Sequence, residues 1–245
     1  MTQCKSWFLL LLIITVFQCS ATEVSINKAV PQKLTLSYTS HPIVNAVLLP
    51  LVQQAYQNLG IEVEFVAVES QRAQQLLKDG LVDGDVARLA QVASRIPNVV
   101  SVALLDKLSL SLRCRPDIQC NTEDVNNAQF RIFMASSRAT LTLLDLNYKA
   151  ELYPLRDWNQ INVMYQQNKI ERFLWIEGTL ASSPVVDGAV ILPLESTSLD
   201  LYHVLHKSHA HLAPKVAKQL EFLLAAYRAE HALAPIFPAP VSDPE

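Results

Sequence analysis

The stretch K-L-T-L-S-Y at Lys33–Tyr38 begins the alternation of strands and helices that decides the fold. Its apolar residues occupy every second position, which is the period of a half-buried β-strand. Pro42 then opens an amphipathic helix predicted at residues 43–59, and Gly60 ends it. The alternating stretch I-E-V-E-F-V-A-V at residues 61–68 predicts the next strand. A strand, a helix and a strand in this order favour a parallel α/β sheet.

The same rhythm continues along the chain. Ser70 and Gly80 bound a short helix, and a further helix is predicted at residues 86–96, followed by a strand at 99–112. A second unit follows, with predicted strands at 130–135, 151–155, 172–176 and 185–194, and helices at about 138–148, 158–168, 198–207 and 212–230. Two α/β units in one chain predict a cleft between them, where small ligands preferentially bind.

The N-terminus has the pattern of a secretory signal peptide. Lys5 precedes an apolar run at residues 7–17, and a small-residue site follows, with cleavage predicted after Ala21. The run is shorter than the roughly 20 residues that span a bilayer. We therefore expect residues 1–21 to be removed and the remaining chain to be periplasmic. A lipid anchor on Cys19 is the alternative, although the bulky residues before it disfavour that site.

Composition excludes several classes of protein. Hydrophobic residues make up 50% of the chain and charged residues 18%, which is typical of a globular protein. The formal net charge of −3 lacks the basic footprint of a nucleic-acid binder. The sequence contains five glycines and no phosphate-binding glycine-rich loop, G-x-S-x-G or H-E-x-x-H motif. We expect no cofactor, no catalytic residues and no membrane-spanning segment after signal cleavage.

Two cysteines remain after Cys4 and Cys19 leave with the signal peptide. Cys114 and Cys120 are spaced C-x5-C, and an exported protein meets oxidising conditions. We expect a disulfide that closes a short loop. A metal site is the alternative, but further ligands are not adjacent in sequence.

Two segments resemble the type II, amino-acid-binding-like (family 3) periplasmic solute-binding proteins of bacterial ABC importers. The first is S-Q-R-A-Q-Q-L-L-K-D-G-L-V-D-G-D-V-A-R at residues 70–88, and the second is L-Y-H-V-L-H-K-S-H-A-H-L-A-P-K at residues 201–215. The resemblance implies two mostly parallel sheets with covering helices and a two-strand hinge. Lobe 1 would comprise residues 33–112 and 199–230, lobe 2 residues 113–198, and residues 235–245 a flexible tail.

The resemblance also implies a function. The chain would capture a small polar, carboxylate-bearing, amino-acid-like ligand between its lobes, close by hinge motion and deliver the ligand to a membrane permease. It departs from the family at the first loop, at the opening of the second lobe, and at the acid that holds an amino group, for which Glu177 or Asp187 are the candidates. Two alternatives stay open: a ligand-sensing partner of a membrane receptor, and a lyase-like enzyme using His41 with Glu69.

Arg72 and Arg88 are the first candidate ligand contacts. Each is predicted at the opening of a helix after a strand, where ligands of α/β sheets bind. A guanidinium can hold a carboxylate by two hydrogen bonds. The structural alternative is an ion pair with Glu69, Asp83 or Asp85 that holds the lobe together.

The other candidates follow two predicted strands. Ser136, Ser137 and Arg138 precede a helix of the second unit, where hydroxyls and free N–H groups bind anions, although N-capping alone explains the serines. Tyr38, Ser40 and His41 follow the first strand, where an aromatic ring can stack on a ligand.

Histidines concentrate near the C-terminus. His203, His206, His209 and His211 are four of the six in the chain. Imidazoles at helical spacing can share a zinc ion, but cysteines and most acids are absent nearby. We favour a turn between two helices and expect no metal there.

Overall fold

The computed structural model describes residues 30–136, 141, 142, 144, 146–155, 158–180 and 188–233. The predicted signal peptide, the possible anchor at Cys19 and the predicted tail at 235–245 lie outside these residues. So do Ser137, Arg138 and Asp187.

The elements alternate as strands and helices. The strands are β1 (Lys33–Tyr38), β2 (Glu62–Ala67), β3 (Gly84–Leu89), β4 (Val99–Cys114), β5 (Arg131–Ala135), β6 (Glu151–Leu155), β7 (Arg172–Glu177) and β8 (Val190–His206). The helices are α1 (Leu49–Gln57), α2 (Ser70–Lys78), α3 (Ala90–Ala93), α4 (Trp158–Gln166) and α5 (Ala213–Glu230). A π-helical segment, Val44–Leu48, leads into α1, and 3-10 turns occupy Thr122–Asn126 and Lys207–Leu212.

The strands form one sheet in the order β2-β1-β3-β8-β4-β7-β5-β6. Strands β1 to β3 are parallel to one another, as are β5 to β7, while β4 and β8 are long and antiparallel to their neighbours. The two halves share one topology. Strand β8 lies between β3 and β4, and strand β4 lies between β7 and β8. The two predicted sheets are thus joined through the hinge strands β4 and β8.

Two lobes follow from this topology. The first lobe contains β1 to β3, one end of β4 and β8, and helices α1, α2, α3 and α5; the second contains β5 to β7, the other end of β4 and β8, and α4. Each lobe buries apolar side chains on both faces of its part of the sheet. Strand β4 passes between the lobes, since Leu105 packs in the first core and Leu108 in the second.

Local patterns account for most of the first lobe. The apolar stripe predicted for the first helix is buried at Val44, Val47, Leu48, Val52 and Ala55. Gly60 and Gly80 both adopt positive φ, of 72° and 67°, at the ends of α1 and α2, as C-terminal glycines do.

Two predicted helices are wrong. Residues 86–89 continue β3, so that Arg88 lies in a strand opposite Tyr202 of β8, and only Ala90–Ala93 are helical. The helix predicted at 198–207 is the second half of β8, paired with β4 along its length. In both places pairing between strands distant in sequence overrides the local helical pattern.

The disulfide prediction is confirmed, since Cys114 and Cys120 are bonded and close the loop after β4. Within the described ranges, no helix is long and apolar enough to cross a membrane.

Candidate functional site

The carboxyl ends of the parallel strands face each other across the two lobes. The imidazole of His41, just after β1, lies 5.8 Å from the ring of Trp175 in β7, measured between centroids. Gly178, which follows β7, comes close to Ile43 of the first lobe. In open α/β sheets ligands bind at this end of the strands, so the surface around His41 and Trp175 is the candidate site.

Trp175 is the main apolar group on the second-lobe side. Its ring packs edge-on against Trp158 at the start of α4, with the centroids 4.1 Å apart. The guanidinium of Arg113 lies 5.2 Å from the Trp175 ring centroid, within range of a cation–π contact. The indole is buried, so it is a core residue of the second lobe whose contact with His41 borders the candidate site.

A buried ion pair lies beside this indole. Arg113 of β4 donates from Nη2 to Oε1 of Glu177 at 2.8 Å, and Ser111 donates its hydroxyl to the same oxygen at 2.7 Å. The Arg113 side chain is 2% exposed whereas the Glu177 side chain is 32% exposed. The charge of the buried Arg113 guanidinium is therefore balanced by Glu177, and part of the Glu177 carboxylate is exposed to solvent.

The first loop has distinct roles along its length. His41 accepts a hydrogen bond on Nδ1 from the Ile43 N–H, and burial lowers the pKa of its imidazole. Ser40 is exposed and accepts a hydrogen bond from Asn45. Tyr38 turns instead toward Phe65 of β2 in the first-lobe core. His41 and Ser40 therefore lie in the loop at the candidate site, whereas Tyr38 packs against the first-lobe core.

Arg88 is engaged within its own lobe. Its Nη2 forms an ion pair with Asp85, and its Nη1 donates to the hydroxyl of Ser70 at 3.1 Å. Asp85 is fully buried and also accepts the hydroxyl of Ser37. The structural alternative, an ion pair with Asp85, is therefore the arrangement observed, and the pair joins β3 to the start of α2.

Arg72 differs from Arg88. It lies exposed near the start of α2 and forms no ion pair or hydrogen bond with the described residues. Its guanidinium is therefore available to a ligand or to solvent. Of the second-lobe candidates, Ser136 follows β5 at its carboxyl end, where its N–H donates to the Leu155 carbonyl. Ser137 and Arg138 lie outside the described residues.

The four C-terminal histidines do not form one cluster. His203 is fully buried in β8, where its Nε2 lies 2.8 Å from the Tyr56 hydroxyl and its Nδ1 3.3 Å from the Val86 carbonyl. Burial lowers the pKa of His203 to about 4. His209 instead pairs with Asp83 at 2.7 Å at the opposite end of the first-lobe sheet.

Among the described residues, the only group that brings three potential metal ligands together is Cys114, Cys120 and Asp124. Its two sulfurs are bonded to each other and Asp124 is paired with Arg172. This group is therefore explained without a metal.

A surface recess of about 330 Å³ lies elsewhere on the second lobe. It is lined by the loop after β4 and the end of α4, including Arg115, Asp117 and Tyr165. This loop adjoins the start of β7, the end remote from His41 and Trp175. The recess is therefore separate from the candidate site.

Sequence reasoning did not single out Arg113 or place Trp175 at the site. The signal for Arg113 was the strict alternation L-S-L-S-L-R at residues 108–113, which places Ser109, Ser111 and Arg113 on one face of β4. An arginine at the end of such a polar face indicates an acidic partner on the neighbouring strand. That partner, Glu177, had been considered as the acid for an amino group.

The doubly crossed sheet defines the type II periplasmic-binding-protein fold, and comparison with solved structures supports this class. The periplasmic VFT2 domain of Bordetella pertussis BvgS matches with a TM-score of 0.59 at 13% identity, over 80% of this chain and 94% of that one. The arginine-bound truncated ArgBP of T. maritima matches with a TM-score of 0.62 at 12% identity, over 78% and 96%. AncCDT-1, an ancestral amino-acid-binding protein and precursor of cyclohexadienyl dehydratase, matches with a TM-score of 0.63 at 13% identity, over 81% and 94%.

Neither a protein-family model nor a curated protein sequence matches the chain. At 12 to 13% identity the structural matches establish the fold alone.

Proposed function

We propose that this chain is an exported, periplasmic binding protein that captures a small ligand between its two lobes. The observation that carries the proposal is the approach of His41 to Trp175, which puts the carboxyl ends of both parallel strand sets around one surface. The ligand would shift the balance between open and closed lobes by contacts that it makes only in the closed form. Residues 33–112 with 199–230 are the proposed lobe 1, and residues 113–198 are the proposed lobe 2.

The ligand proposed is polar and amino-acid-like, with a carboxylate. Similar folds include an arginine-bound protein and an ancestral arginine-binding protein bound to glutamine. In this chain Arg88 and Arg113 are already paired with carboxylates, so of these three arginines Arg72 is the one available to a ligand carboxylate. Ser40, His41 and Ser136 would add hydrogen bonds, and Ser137 and Arg138 stay candidates.

Delivery of the ligand to the permease of an ABC importer is the role that we propose first. A second role is supported by the match to BvgS, in which this fold is part of a longer periplasmic region: the match to that region covers 43% of its chain. In that role the closed form would be recognised by a membrane receptor. We propose no enzymatic role, since His41 accepts a hydrogen bond from Ile43, faces Trp175 and, among the described residues, forms none with Glu69.

The test is a thermal-shift screen against amino acids, dicarboxylates, polyamines and small peptides. A ligand at 100 times its Kd stabilises the folded state by about 2.7 kcal/mol. For a domain of this size that raises Tm by roughly 5–10 °C. Arg72→Ala and His41→Ala should reduce the shift.

Arg131→Ala is the matched control, because Arg131 is exposed at the amino end of β5 and pairs with Glu151 at the amino end of β6, away from the carboxyl ends that surround the site. It should leave the shift intact. A ligand whose shift survives both Arg72→Ala and His41→Ala, or no shift from any compound class, would count against capture at this site.

A further inference from the structure

The segment Gly178–Leu180 leaves the second lobe and enters the first. It directly follows Glu177, the last residue of β7. Leu180 is 1% exposed and belongs to the first-lobe core, together with Ile43, Leu105 and Leu224. A side chain from the second lobe is thus built into the hydrophobic core of the other lobe.

A buried charge pair holds this segment. Asp106 lies in β4 where the strand passes between the lobes, and it accepts the Thr179 N–H on Oδ2 at 2.8 Å and the Thr179 hydroxyl on Oδ1. Arg228, near the end of α5, donates from Nη2 to Asp106 at 2.9 Å and to the Thr179 hydroxyl at 2.7 Å. Asp106 and Arg228 are 1% and 4% exposed. The hydroxyl of Thr179 therefore lies between two buried opposite charges.

Gly178 allows this close approach. A Cβ at that position would lie 2.6 Å from Oδ2 of Asp106 and 3.2 Å from Leu108. Real Cβ atoms do not approach so closely, so any larger residue would displace either the segment or the Asp106 carboxylate that binds it. The backbone at the exit of β7 is thus fitted against the hinge strand.

We propose that Gly178–Leu180 is a clasp that sets the closed arrangement of the two lobes. Separation of the lobes must break the bonds of Thr179 to Asp106 and Arg228 and withdraw Leu180 from the first-lobe core. Both steps expose buried groups, and the bonds to charged partners are stronger than ordinary neutral ones. The clasp would thereby link the C-terminal helix α5 to opening of the site.

The test measures the distance between lobes and needs no ligand, so its outcome is independent of the proposed ligand capture. Spin labels are attached to Gln53→Cys on α1 and Gln167→Cys just after α4, in the chain from Thr22 onward and with the Cys114–Cys120 disulfide intact. Both labelled positions are exposed. Pulsed electron resonance then reports the interlobe distance distribution.

Leu180→Ala and Thr179→Val are expected to enlarge the longer-distance population relative to the parent chain. Leu36→Ala is the matched control, because Leu36 is fully buried in the same core but lies on β1, outside the clasp. It should lower Tm and leave the distances unchanged. Unchanged distances in both clasp variants would overturn the proposal, as would an equal lengthening in all three, because opening would then follow general loss of stability.

Discussion

The two lobes each contain a buried arginine paired with a carboxylate near the strand ends, and the two pairs differ in exposure. In the first lobe Arg88 pairs with Asp85, which is fully buried, and ties the start of α2 to β3. In the second lobe Arg113 pairs with Glu177, whose side chain is one-third exposed next to Trp175. The first pair is therefore a structural tie, while the second retains a carboxylate that a ligand can approach.

This contrast shows that an arginine at the expected place is not by itself a ligand contact. Arg88 occupies the end of the sheet where a ligand arginine was predicted, yet Asp85 and Ser70 already bind its guanidinium. Replacing the arginine of each pair measures how much that pair contributes to the free energy of unfolding. The two losses should differ, because the carboxylate that remains is buried in the first lobe and partly hydrated in the second.

The largest effect is expected from Arg88→Met. It leaves the Asp85 carboxylate without a cation in a fully buried place. Breaking one partner of a buried pair costs about 3–5 kcal/mol of unfolding free energy. Urea denaturation followed by circular dichroism measures it. A loss below about 1 kcal/mol would mean that Asp85 is satisfied by Ser37 and its own backbone contacts alone.

The second-largest effect is a dependence of the unfolding free energy on pH, caused by His203 in the first-lobe core. The pKa of His203 is about 4 in the folded chain, against about 6.5 when unfolded. Between these values the unfolded state binds more protons, so stability is complete above pH 6.5 and is lost as pH falls toward 4. The loss between pH 6.5 and 5 is about 2 kcal/mol.

Unfolding free energies of the parent chain and of Tyr56→Phe/His203→Phe, measured across that range, isolate this contribution. The double replacement removes both members of the Tyr56–His203 hydrogen bond. Its stability should fall less steeply with acid. Parallel pH profiles for the two chains would refute the assignment to His203.

A smaller effect is expected from Arg113→Met. Glu177 is partly exposed and keeps the hydroxyl of Ser111, so water can hydrate the carboxylate that remains. We expect a loss of about 1–2 kcal/mol, below that of Arg88→Met. The same urea titration compares the two directly. Equal losses would remove the distinction between a structural pair and an accessible one.

The smallest effect is expected from Arg72→Ala. Its side chain is exposed and contacts none of the described residues through a hydrogen bond or ion pair. The unfolding free energy should therefore change by no more than about 0.5 kcal/mol. Thermal and urea unfolding check this. A larger loss would show that Arg72 has a structural partner and is less suited to a ligand.

The sequence by itself determined the elements that depend on neighbours along the chain. The alternation at Lys33–Tyr38 predicted β1, the apolar stripe predicted the first helix, and the glycines at 60 and 80 marked the ends of α1 and α2. The short C-x5-C spacing predicted the disulfide, because the two cysteines are only 6 residues apart. These features rest on local periodicity, on backbone freedom at glycine and on short chain separation.

The tertiary structure alone decided the contacts between segments that are distant in sequence. Residues 198–206 form a strand because they pair with β4. Arg88 lies in a strand because β3 pairs with β8. The pair of Arg113 and Glu177 spans 64 residues, and that of Asp106 and Arg228 spans 122. The periodicity of a single segment carries no information on such pairings, since they arise only when the sheet brings the strands together.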